Sequence, residues 1–196
     1  WNANGVATTQ IFQLDKSFDA DGMVVKNDIA KITDLKGKTV AASAPGTAPY
    51  FTLAWMLKKN GMTTKDVKIV NLEPQAAANA MIAGNAGIDA ALTYEPYLSA
   101  VRAKPEAGKI IATTLDYPMI MDTFGCVPKF LADNPKAAKA IADSYFEAVE
   151  MISKEPKRSF EIMGADVKQT GEAFEASQKY LRWQDRAANL RFFSGE

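Results

Sequence analysis

Two turns in the sequence carry residue types that bind small polar molecules. The first, SAPGTA at residues 43–48, lies between a predicted strand and a predicted helix. Ligands collect at the C-terminal ends of strands in open α/β sheets, and the free N–H groups at a helix start suit a carboxylate, sulfonate or phosphate. Gly46 and Thr47 are therefore candidate ligand contacts. Threonine is also a favourable N-cap residue, so Thr47 is alternatively a simple helix cap.

The second turn, TYEPY at residues 93–97, places Glu95 between Tyr94 and Tyr97. A carboxylate flanked by aromatic rings can bind an amine through a charge-assisted hydrogen bond and a cation–π contact. An acidic residue also stabilises a helix N-terminus, with the tyrosines packed beside it. The residues alone leave both interpretations open.

Three further polar residues are candidates for a binding site. Ser17 and Asp21 precede the predicted strand MVVK, and Asp122 lies in the segment PMIMDTFG. Each acid is either a ligand group or an ordinary turn or strand-end residue, because turns favour Asp and Gly. Paired carboxylates also serve glycosidases, but nothing in the sequence brings these acids to a defined separation.

Histidine is absent from all 196 residues. The chain therefore lacks the usual general base, the usual partner of a nucleophilic Ser or Cys and the commonest zinc ligand. Carboxylate pairs, lysine Schiff bases and carboxylate-bound magnesium remain chemically available. The SAPGTA turn lacks the Gly-Lys-Ser/Thr ending of a P-loop, which leaves nucleotide hydrolysis unsupported. Composition favours a binding protein over an enzyme, and we expect no catalytic residue, cofactor or metal.

Charge and hydropathy exclude two further classes of partner. Lys plus Arg and Asp plus Glu both number 23, so the chain lacks the positive field of a nucleic-acid or anionic-membrane binder. No apolar run approaches the roughly 20 residues that cross a bilayer. The opening WNANGVATTQ lacks the parts of a signal peptide, so we expect any export signal to have been removed or not included.

The single cysteine, Cys126, is predicted to be a packed strand residue.

The order of predicted elements is typical of a mainly parallel sheet covered by helices. Strands alternate with helices between residues 22 and 115, and such alternation favours parallel pairing. The predicted strands are residues 22–28, 38–43, 66–72, 88–94 and 109–115. The predicted helices are about 49–59, 75–84 and a short one near Pro96. The first of these places Phe51, Ala54, Trp55 and Leu57 on one side and ends at Asn60-Gly61, a left-handed cap.

Beyond residue 118 the pattern becomes mainly helical. Residues 119–127 are predicted to be extended, and residues 128–156 to form two helices separated at Asn134-Pro135, because proline interrupts a helix. Residues 157–163 and 168–183 are also predicted to be helical. In the second of the two helices, apolar residues recur at helical spacing and predict a buried face. These residues are Ala138, Ile141, Ala142, Tyr145, Phe146, Val149 and Ile152.

Taken in order, these segments resemble the substrate-binding proteins of bacterial ABC importers, in the branch for nitrate, sulfonates, taurine and thiamine-pyrimidine precursors. The most specific combination is DLKGKTVA, the Gly-Thr turn after it, and the later run IDAALTYEPYL. The segments ADGMVVKND and PMIMDTFGCVPKFLADNPKAAKAIADSYFEAVEMI are similar as well. The likeness spans residues 19–152.

The resemblance implies a two-lobe periplasmic-binding-protein fold, of type II, with the ligand held in a cleft between α/β lobes. It assigns residues 1–38 to lobe 1 and the crossover, 39–116 to lobe 2, and 117–196 to lobe 1 and C-terminal helices. Lobe 1 would contribute Ser17, Asp21 and Asp122, and lobe 2 would contribute Gly46, Thr47, Tyr94 and Glu95. Family members usually have a further βαβ portion before the point matched by Trp1, so we expect the first lobe to be incomplete.

The function implied by the resemblance is capture of a small polar solute outside the cytoplasm, in the periplasm, and its delivery to an ABC permease. Such a protein is expected to be a monomer that meets the membrane only through the permease or a lipid anchor absent from this sequence. The acids favour an amino group and the Gly46-Thr47 turn favours an anion. An aminosulfonate or other sulfonate, a nitrate-like anion or an aminopyrimidine is therefore expected.

Two alternatives use the same fold. One is an enzyme like the thiamine-pyrimidine synthases, which rely on histidine and a cysteine cluster that this chain lacks. The other is the ligand-sensing domain of a regulator or membrane receptor.

Overall fold

The computed structural model describes residues 5–195, so the expected start of the chain within lobe 1, at Trp1, lies outside the described residues. The chain divides into two compact units. The central unit is Ser17–Ile120, and the terminal unit combines the residues up to Lys16 with those from Met121 onward. The central unit begins earlier than the predicted lobe boundary at residue 39, because a strand that starts at Asp21 pairs inside its sheet.

The central unit is built on a five-stranded sheet. Its strands are β2 (Asp21–Val25), β3 (Thr39–Ala42), β4 (Lys68–Asn71), β5 (Ala90–Tyr94) and β6 (Lys109–Thr113). They lie in the order β4-β3-β5-β2-β6. β3 is parallel to β4 and β5, whereas β2 is antiparallel to β5 and β6. Four strands therefore run in one direction and β2 alone opposes them, which agrees with the predicted mainly parallel sheet.

Three helices connect these strands: α1 (Ala48–Lys59), α2 (Pro74–Ile82) and α3 (Tyr97–Arg102). Alternate strand residues enter two separate apolar cores. Val40 and Leu92 pack with α1 residues in one core, whereas Ala41 and Ala91 pack with residues of α2 and α3 in the other. Apolar side chains on both sides of each strand place the sheet between two helical layers.

The side of α1 that carries Phe51 and Trp55 is not the side that packs in the core. Its buried residues are Pro49, Thr52, Leu53, Met56 and Leu57. Phe51 is 50% exposed and stacks on Trp55 at the outer side of the helix. Lys59 lies over the same indole ring, 4.8 Å from its centroid. These aromatic rings and a lysine stem shield one another outside the core, so apolar character alone did not identify the buried side.

The predicted end of α1 is confirmed. Asn60 follows the last helical residue, and Gly61 has a φ of 72°. The N–H of Gly61 donates to Lys58 O, and the N–H of Met62 donates to Leu57 O. These bonds satisfy carbonyl groups at the helix end, in a backbone conformation that favours glycine.

The terminal unit contains a three-stranded sheet with the order β7-β1-β8. β1 (Thr9–Ser17) has its last residue in the central unit and pairs antiparallel to β7 (Met121–Cys126), and β8 is Leu181–Trp183. The helices are α4 (Pro128–Asp133), α5 (Pro135–Lys154), α6 (Pro156–Asp166), α7 (Gly171–Gln178) and α8 (Arg186–Ser194). The predicted break at Asn134-Pro135 is confirmed.

Two predictions for this unit need correction. The helix predicted over residues 168–183 ends at Gln178. Residues 181–183 form β8 instead, because that segment meets the sheet, where Gln184 N–H donates to Leu14 O.

The predicted buried face of α5 is mostly half-buried, and only Phe146 is buried. Phe146 packs beside Phe12 of β1 and Tyr145. Cys126, the last residue of β7, is half-buried and unpaired.

Candidate functional site

One edge of the central sheet collects most of the predicted site residues. Because β3 and β5 are parallel, the turns that follow them leave the sheet on the same side. β2 runs the opposite way and therefore begins there, with Asp21 paired to Tyr94. β6 ends at the same edge, where Thr113 pairs with Gly22. The topology therefore brings the ends of β3, β5 and β6 and the start of β2 together at this edge, which we call the polar edge.

Buried polar side chains of the central unit concentrate at the polar edge. Such side chains are uncommon in a protein interior unless they serve structure or binding. Those at the edge are Ser17, Asp21, Ser43, Thr93, Thr113 and Thr114. Thr52, in the second turn of α1, is also buried, and its Oγ1 has no hydrogen-bond partner among the described residues. The interior of this unit is otherwise apolar, so the polar edge is its candidate site.

The turn between β3 and α1 presents a helix start to this edge. Thr47 is the N-cap of α1: its Oγ1 donates to Ala44 O and accepts a bond from Tyr50 N–H. Gly46 has a φ of 94°, and a Cβ there would meet no atom within 4 Å. The turn therefore needs glycine for its backbone conformation, and the space before it is open. Capping, one of the two predicted roles of Thr47, is what the structure shows for its side chain.

Ser17 and Asp21 form a small hydrogen-bonded group with Thr114. The hydroxyl groups of Ser17 and Thr114 lie 2.7 Å apart. Ser17 Oγ also accepts a bond from Asp21 N–H, and Thr114 N–H donates to Asp21 O. Both Ser17 and Asp21 are 8% exposed. The connection from β1 into β2 is thus fixed to the end of β6.

Glu95 is bonded within the central unit through both carboxylate oxygens. One oxygen accepts a bond from Ser99 N–H at 3.1 Å, and the other pairs with the Arg102 guanidinium. Burial raises the pKa of Glu95 above its ordinary value, although Ser99 and Arg102 act in the opposite direction. The predicted helix-start role of this acid is therefore present, since it contacts the first turns of α3.

Tyr94 and Tyr97 lie beside this pair. Tyr94 is 37% exposed, and its ring packs against Tyr97 with centroids 5.9 Å apart. α3 reaches this position because β2 has a glycine next to Asp21. A Cβ on Gly22 would lie 3.0 Å from Leu98 Cδ2 of α3 and 3.2 Å from Ala112 O. Close packing of α3 on β2 thus brings Tyr97 of α3 against Tyr94, the exposed last residue of β5.

Asp122 lies in the terminal unit. It is an exposed residue of β7 and pairs in register with Asp15 of β1. Of the seven predicted ligand residues, the structure therefore places six at the polar edge of the central unit and Asp122 in the other unit.

Three residues of this edge were not among the predicted ligand residues: Asp19, which lies in the candidate turn before β2, and also Arg102 and Thr114. Thr114 directly follows β6, so the rule that ligands meet strand ends could have identified it. Arg102 lies at the far end of α3, seven residues after Glu95, and nothing local connects it with Asp19. Only the fold brings the three together.

The polar edge offers groups that can form hydrogen bonds to a small polar molecule. Hydroxyl groups, backbone N–H groups at the start of α1 and the Asp21 carboxylate are its components. Within residues 5–195, no group of three or more Cys, Asp or Glu side chains is arranged to hold a metal ion. Among those residues, too, no helix has the length and apolarity needed to span a membrane.

Known proteins show similarity to this chain in sequence and in fold. A taurine-binding periplasmic protein of Escherichia coli (strain K12) is 31% identical over 152 residues, which are 75% of this chain and 46% of that protein. The solved alkanesulfonate-binding protein SsuA from Xanthomonas axonopodis pv. citri, bound to MOPS, superimposes with a TM-score of 0.77 at 18% identity. That match covers 91% of this chain and 61% of the solved one.

A desulfurization enzyme, DSZB, has a similar structure as well, with a TM-score of 0.63 at 13% identity over 88% of this chain and 64% of the enzyme. At such identities a likeness of structures shows the fold alone, and the predicted periplasmic-binding-protein fold is confirmed.

The chain spans about half the length of the curated relatives it matches, 46% of the taurine-binding protein and 45% of a putative binding protein of Brucella abortus. The model of the NMT1-like family matches residues 1–163, most of the sequence. The chain therefore belongs to the NMT1-like family.

Proposed function

We propose that this chain is part of an extracytoplasmic solute-binding protein that captures a small polar molecule and delivers it to an ABC permease. The observation that carries this proposal is the polar edge, where six buried hydroxyl and carboxyl residues lie at the same edge of the sheet as the start of α1. The position is the one at which open α/β sheets bind ligands. A relative named as a taurine-binding periplasmic protein and a solved neighbour named as an alkanesulfonate-binding protein support the same role.

The ligand we favour is a sulfonate or an aminosulfonate. Tyr50 N–H is taken by Thr47 and Pro49 has no N–H, so the N–H groups of Gly46 and Ala48 are the candidates for binding an anion at the start of α1. One relative is named for taurine, and one solved neighbour is bound to the sulfonate MOPS. A nitrate-like anion and an aminopyrimidine are the other ligands proposed.

We propose that five residues of the central unit face the ligand: Ser17, Asp21, Gly46, Thr47 and Tyr94. Glu95 lies at the same edge of that unit. Asp122 is proposed as the contribution of the terminal unit. In this proposal the central unit contains lobe 2, residues 39–116, and the terminal unit belongs to lobe 1. The partner is a permease, and the binding protein acts as a monomer in the periplasm or its equivalent.

We propose that the chain has no catalytic role. The sequence has no histidine, and the buried polar groups of the polar edge are occupied by hydrogen bonds rather than arranged as a nucleophile beside a base. NMR spectra of a bound sulfonate before and after incubation provide the check. An unchanged spectrum is expected, and a new product would favour an enzyme.

Thermal shift tests the binding function. A ligand that binds only the native state stabilises it by about 2.7 kcal/mol at a concentration 100 times its Kd. The protein is screened against taurine, ethanesulfonate, nitrate, an aminopyrimidine and simple amines, and the melting temperature is expected to rise with a sulfonate. If no compound raises it, solute capture by this chain is contradicted.

Two matched glycine variants locate the site. Gly46 and Gly61 lie at opposite ends of α1, both have positive φ, and a Cβ on either meets no atom within 4 Å. Gly46→Ala and Gly61→Ala should therefore each destabilise the free protein by about 1 kcal/mol or more. Only Gly46→Ala is expected to reduce the shift caused by the ligand. Equal reductions in both variants would remove the β3–α1 turn from the site.

A further inference from the structure

Arg102 connects two acids that are far apart in sequence. Its Nη1 pairs with a carboxylate oxygen of Glu95, and its Nη2 lies 2.8 Å from Asp19 Oδ2 and 3.2 Å from Asp19 O. The Glu95 side chain is 6% exposed, and those of Arg102 and Asp19 are 24% and 22% exposed. Ion pairs with this degree of burial are screened less by water than surface pairs.

Asp19 occupies a backbone conformation that needs such support. Its φ is 78°, in the left-handed region that residues other than glycine rarely adopt. Arg102 binds both its carboxylate and its carbonyl group, and its N–H donates to Thr114 Oγ1 at 3.0 Å. Three groups of Asp19 are thereby held by two side chains from α3 and from the end of β6.

The residues held in this way include two of the proposed ligand contacts. Thr114 Oγ1, which binds Asp19, is also 2.7 Å from Ser17 Oγ. Ser17 Oγ in turn accepts the N–H of Asp21, and Glu95 N–H donates to Ala20 O at 2.8 Å. A change in the position of Asp19 must therefore alter the segment 17–21 at the polar edge.

The arrangement also decides what Glu95 is able to bind. Both of its carboxylate oxygens are occupied, one by Arg102 and one by Ser99 N–H. A ligand amine would have to compete with a guanidinium that is already in place and held by a second acid. The carboxylate that sequence reasoning assigned to a cationic ligand group thus has its cation inside the protein.

We propose that Arg102 is a positioning residue, which acts with Glu95 and Asp19 to hold Ser17 and Asp21 in the geometry that binds the ligand. Glu95 binds Arg102 and does not contact an amino group of the ligand. This inference rests on the proposed function of the polar edge, and it adds a residue to that site that touches no ligand itself.

Calorimetric titration with two sulfonates separates positioning from direct contact. Taurine carries an amino group, and ethanesulfonate is the same molecule without it. If Arg102 and Glu95 position the site, Arg102→Ala and Glu95→Gln each weaken both ligands by the same factor, about tenfold. Arg102→Lys keeps the positive charge but not the planar guanidinium group that bonds two acids at once. It is therefore expected to retain part of the affinity for both ligands that Arg102→Ala loses.

Lys26→Ala is the matched control. Lys26 pairs with Asp89 at 3.1 Å, with side chains 32% and 21% exposed, at the opposite edge of the same sheet. Its loss should lower the melting temperature of the protein while leaving both affinities unchanged. Unchanged affinity in Arg102→Ala, or a loss for taurine alone in Glu95→Gln, would overturn the proposal.

Amide hydrogen exchange decides the proposal without any ligand. In Arg102→Ala, or in Arg102→Lys if the alanine variant does not fold, the amides of Asp19, Asp21 and Glu95 should exchange faster than in the wild type. The amide of Ala41 in β3 should keep its protection. If the wild type binds neither sulfonate, the proposed sulfonate ligand fails, and positioning by Arg102 still stands or falls on these amides. Equal protection of these amides in the variant and the wild type would contradict positioning by Arg102.

Discussion

At the residue scale, Thr47 and Glu95 show how one side chain suits both a ligand and the local structure. Thr47 caps α1, and Glu95 bonds the first turns of α3 and Arg102. In both cases the local alternative predicted from the sequence is present in the fold. The open space before Gly46 and the buried hydroxyl of Ser17 then carry more weight for ligand binding than these two side chains.

The pKa of Asp89 makes the stability of the central unit depend on pH. Burial by itself would raise the pKa of Asp89, but bonds from Thr39 N–H and Lys26 bring it below the ordinary value of 3.8. A lowered pKa means that the ionised carboxylate of Asp89 stabilises the fold at pH values above 3.8. The stabilisation is lost as the pH falls through the folded-state pKa.

We predict that Asp89→Asn lowers the free energy of unfolding by about 1 to 2 kcal/mol at pH 7 and by less near pH 3. Urea unfolding at the two pH values measures this difference. Asp133→Asn, in an exposed pair with Lys129, is the control and should change stability by less than about 0.5 kcal/mol. An Asp89→Asn effect of equal size at both pH values would contradict the assignment.

At the element scale, α1 shows where hydrophobicity and burial separate. The sequence pattern placed Phe51 and Trp55 on one side with Leu57, whereas the helix buries Leu53, Met56 and Leu57. The helix has two aromatic rings outside the core, and Lys59 covers one of them. The rotation of the helix is decided by the strand residues it packs on, Val40 and Leu92 among them.

This orientation predicts unequal costs for two truncations in α1. Leu53 is fully buried, so Leu53→Ala should destabilise the protein by about 2 to 5 kcal/mol. Phe51 is half-exposed, so Phe51→Ala should cost less than about 1.5 kcal/mol, mainly through lost stacking on Trp55. Urea unfolding of both variants gives the comparison. A larger cost for Phe51→Ala would contradict the burial of Leu53 and the exposure of Phe51.

Elements in the terminal unit show the same dependence on context. Residues 181–183 follow a helical pattern but form β8, since they lie where β1 can accept a third strand. Only Phe146 of the apolar face of α5 is buried, because Phe12 packs against that position. Helical spacing identified the face of α5, and the packing partner determined how much of it is covered.

At the scale of the whole molecule, the charge balance limits how a ligand is attracted. Lys plus Arg and Asp plus Glu are equal in number, so the chain has no net charge that would attract an anion from a distance. In the proposed function, attraction comes from the polar edge, through N–H groups at the start of α1 that act over short distances.

Ethanesulfonate binding should therefore depend weakly on salt. Its affinity is expected to fall by less than about threefold between roughly 20 and 200 mM sodium chloride, because screening acts mainly on distant exposed charges. Calorimetric titrations over this range, with sodium sulfate excluded as a competing anion, measure the dependence. A tenfold fall or more would point to an extended positive surface instead of a local site.

The sequence by itself determined the class of fold and the location of the two candidate binding turns. Alternating strands and helices with Gly and Pro at their ends specify a mainly parallel α/β sheet, and the ends of its parallel strands must meet at one edge. Gly46, Thr47, Tyr94 and Glu95 could be named for that reason. The absence of histidine also narrowed the chemistry open to the chain, because it removes the commonest general base.

Only the tertiary structure decided which partners these residues have. Arg102, Asp19 and Glu95 are separated by up to 83 residues, and no local pattern predicts that they meet. The antiparallel insertion of β2 brings residues 17–21 to the polar edge, and close packing at Gly22 brings α3 beside them. Local propensity specifies elements, whereas long-range pairing and packing specify which charges and hydroxyl groups become neighbours.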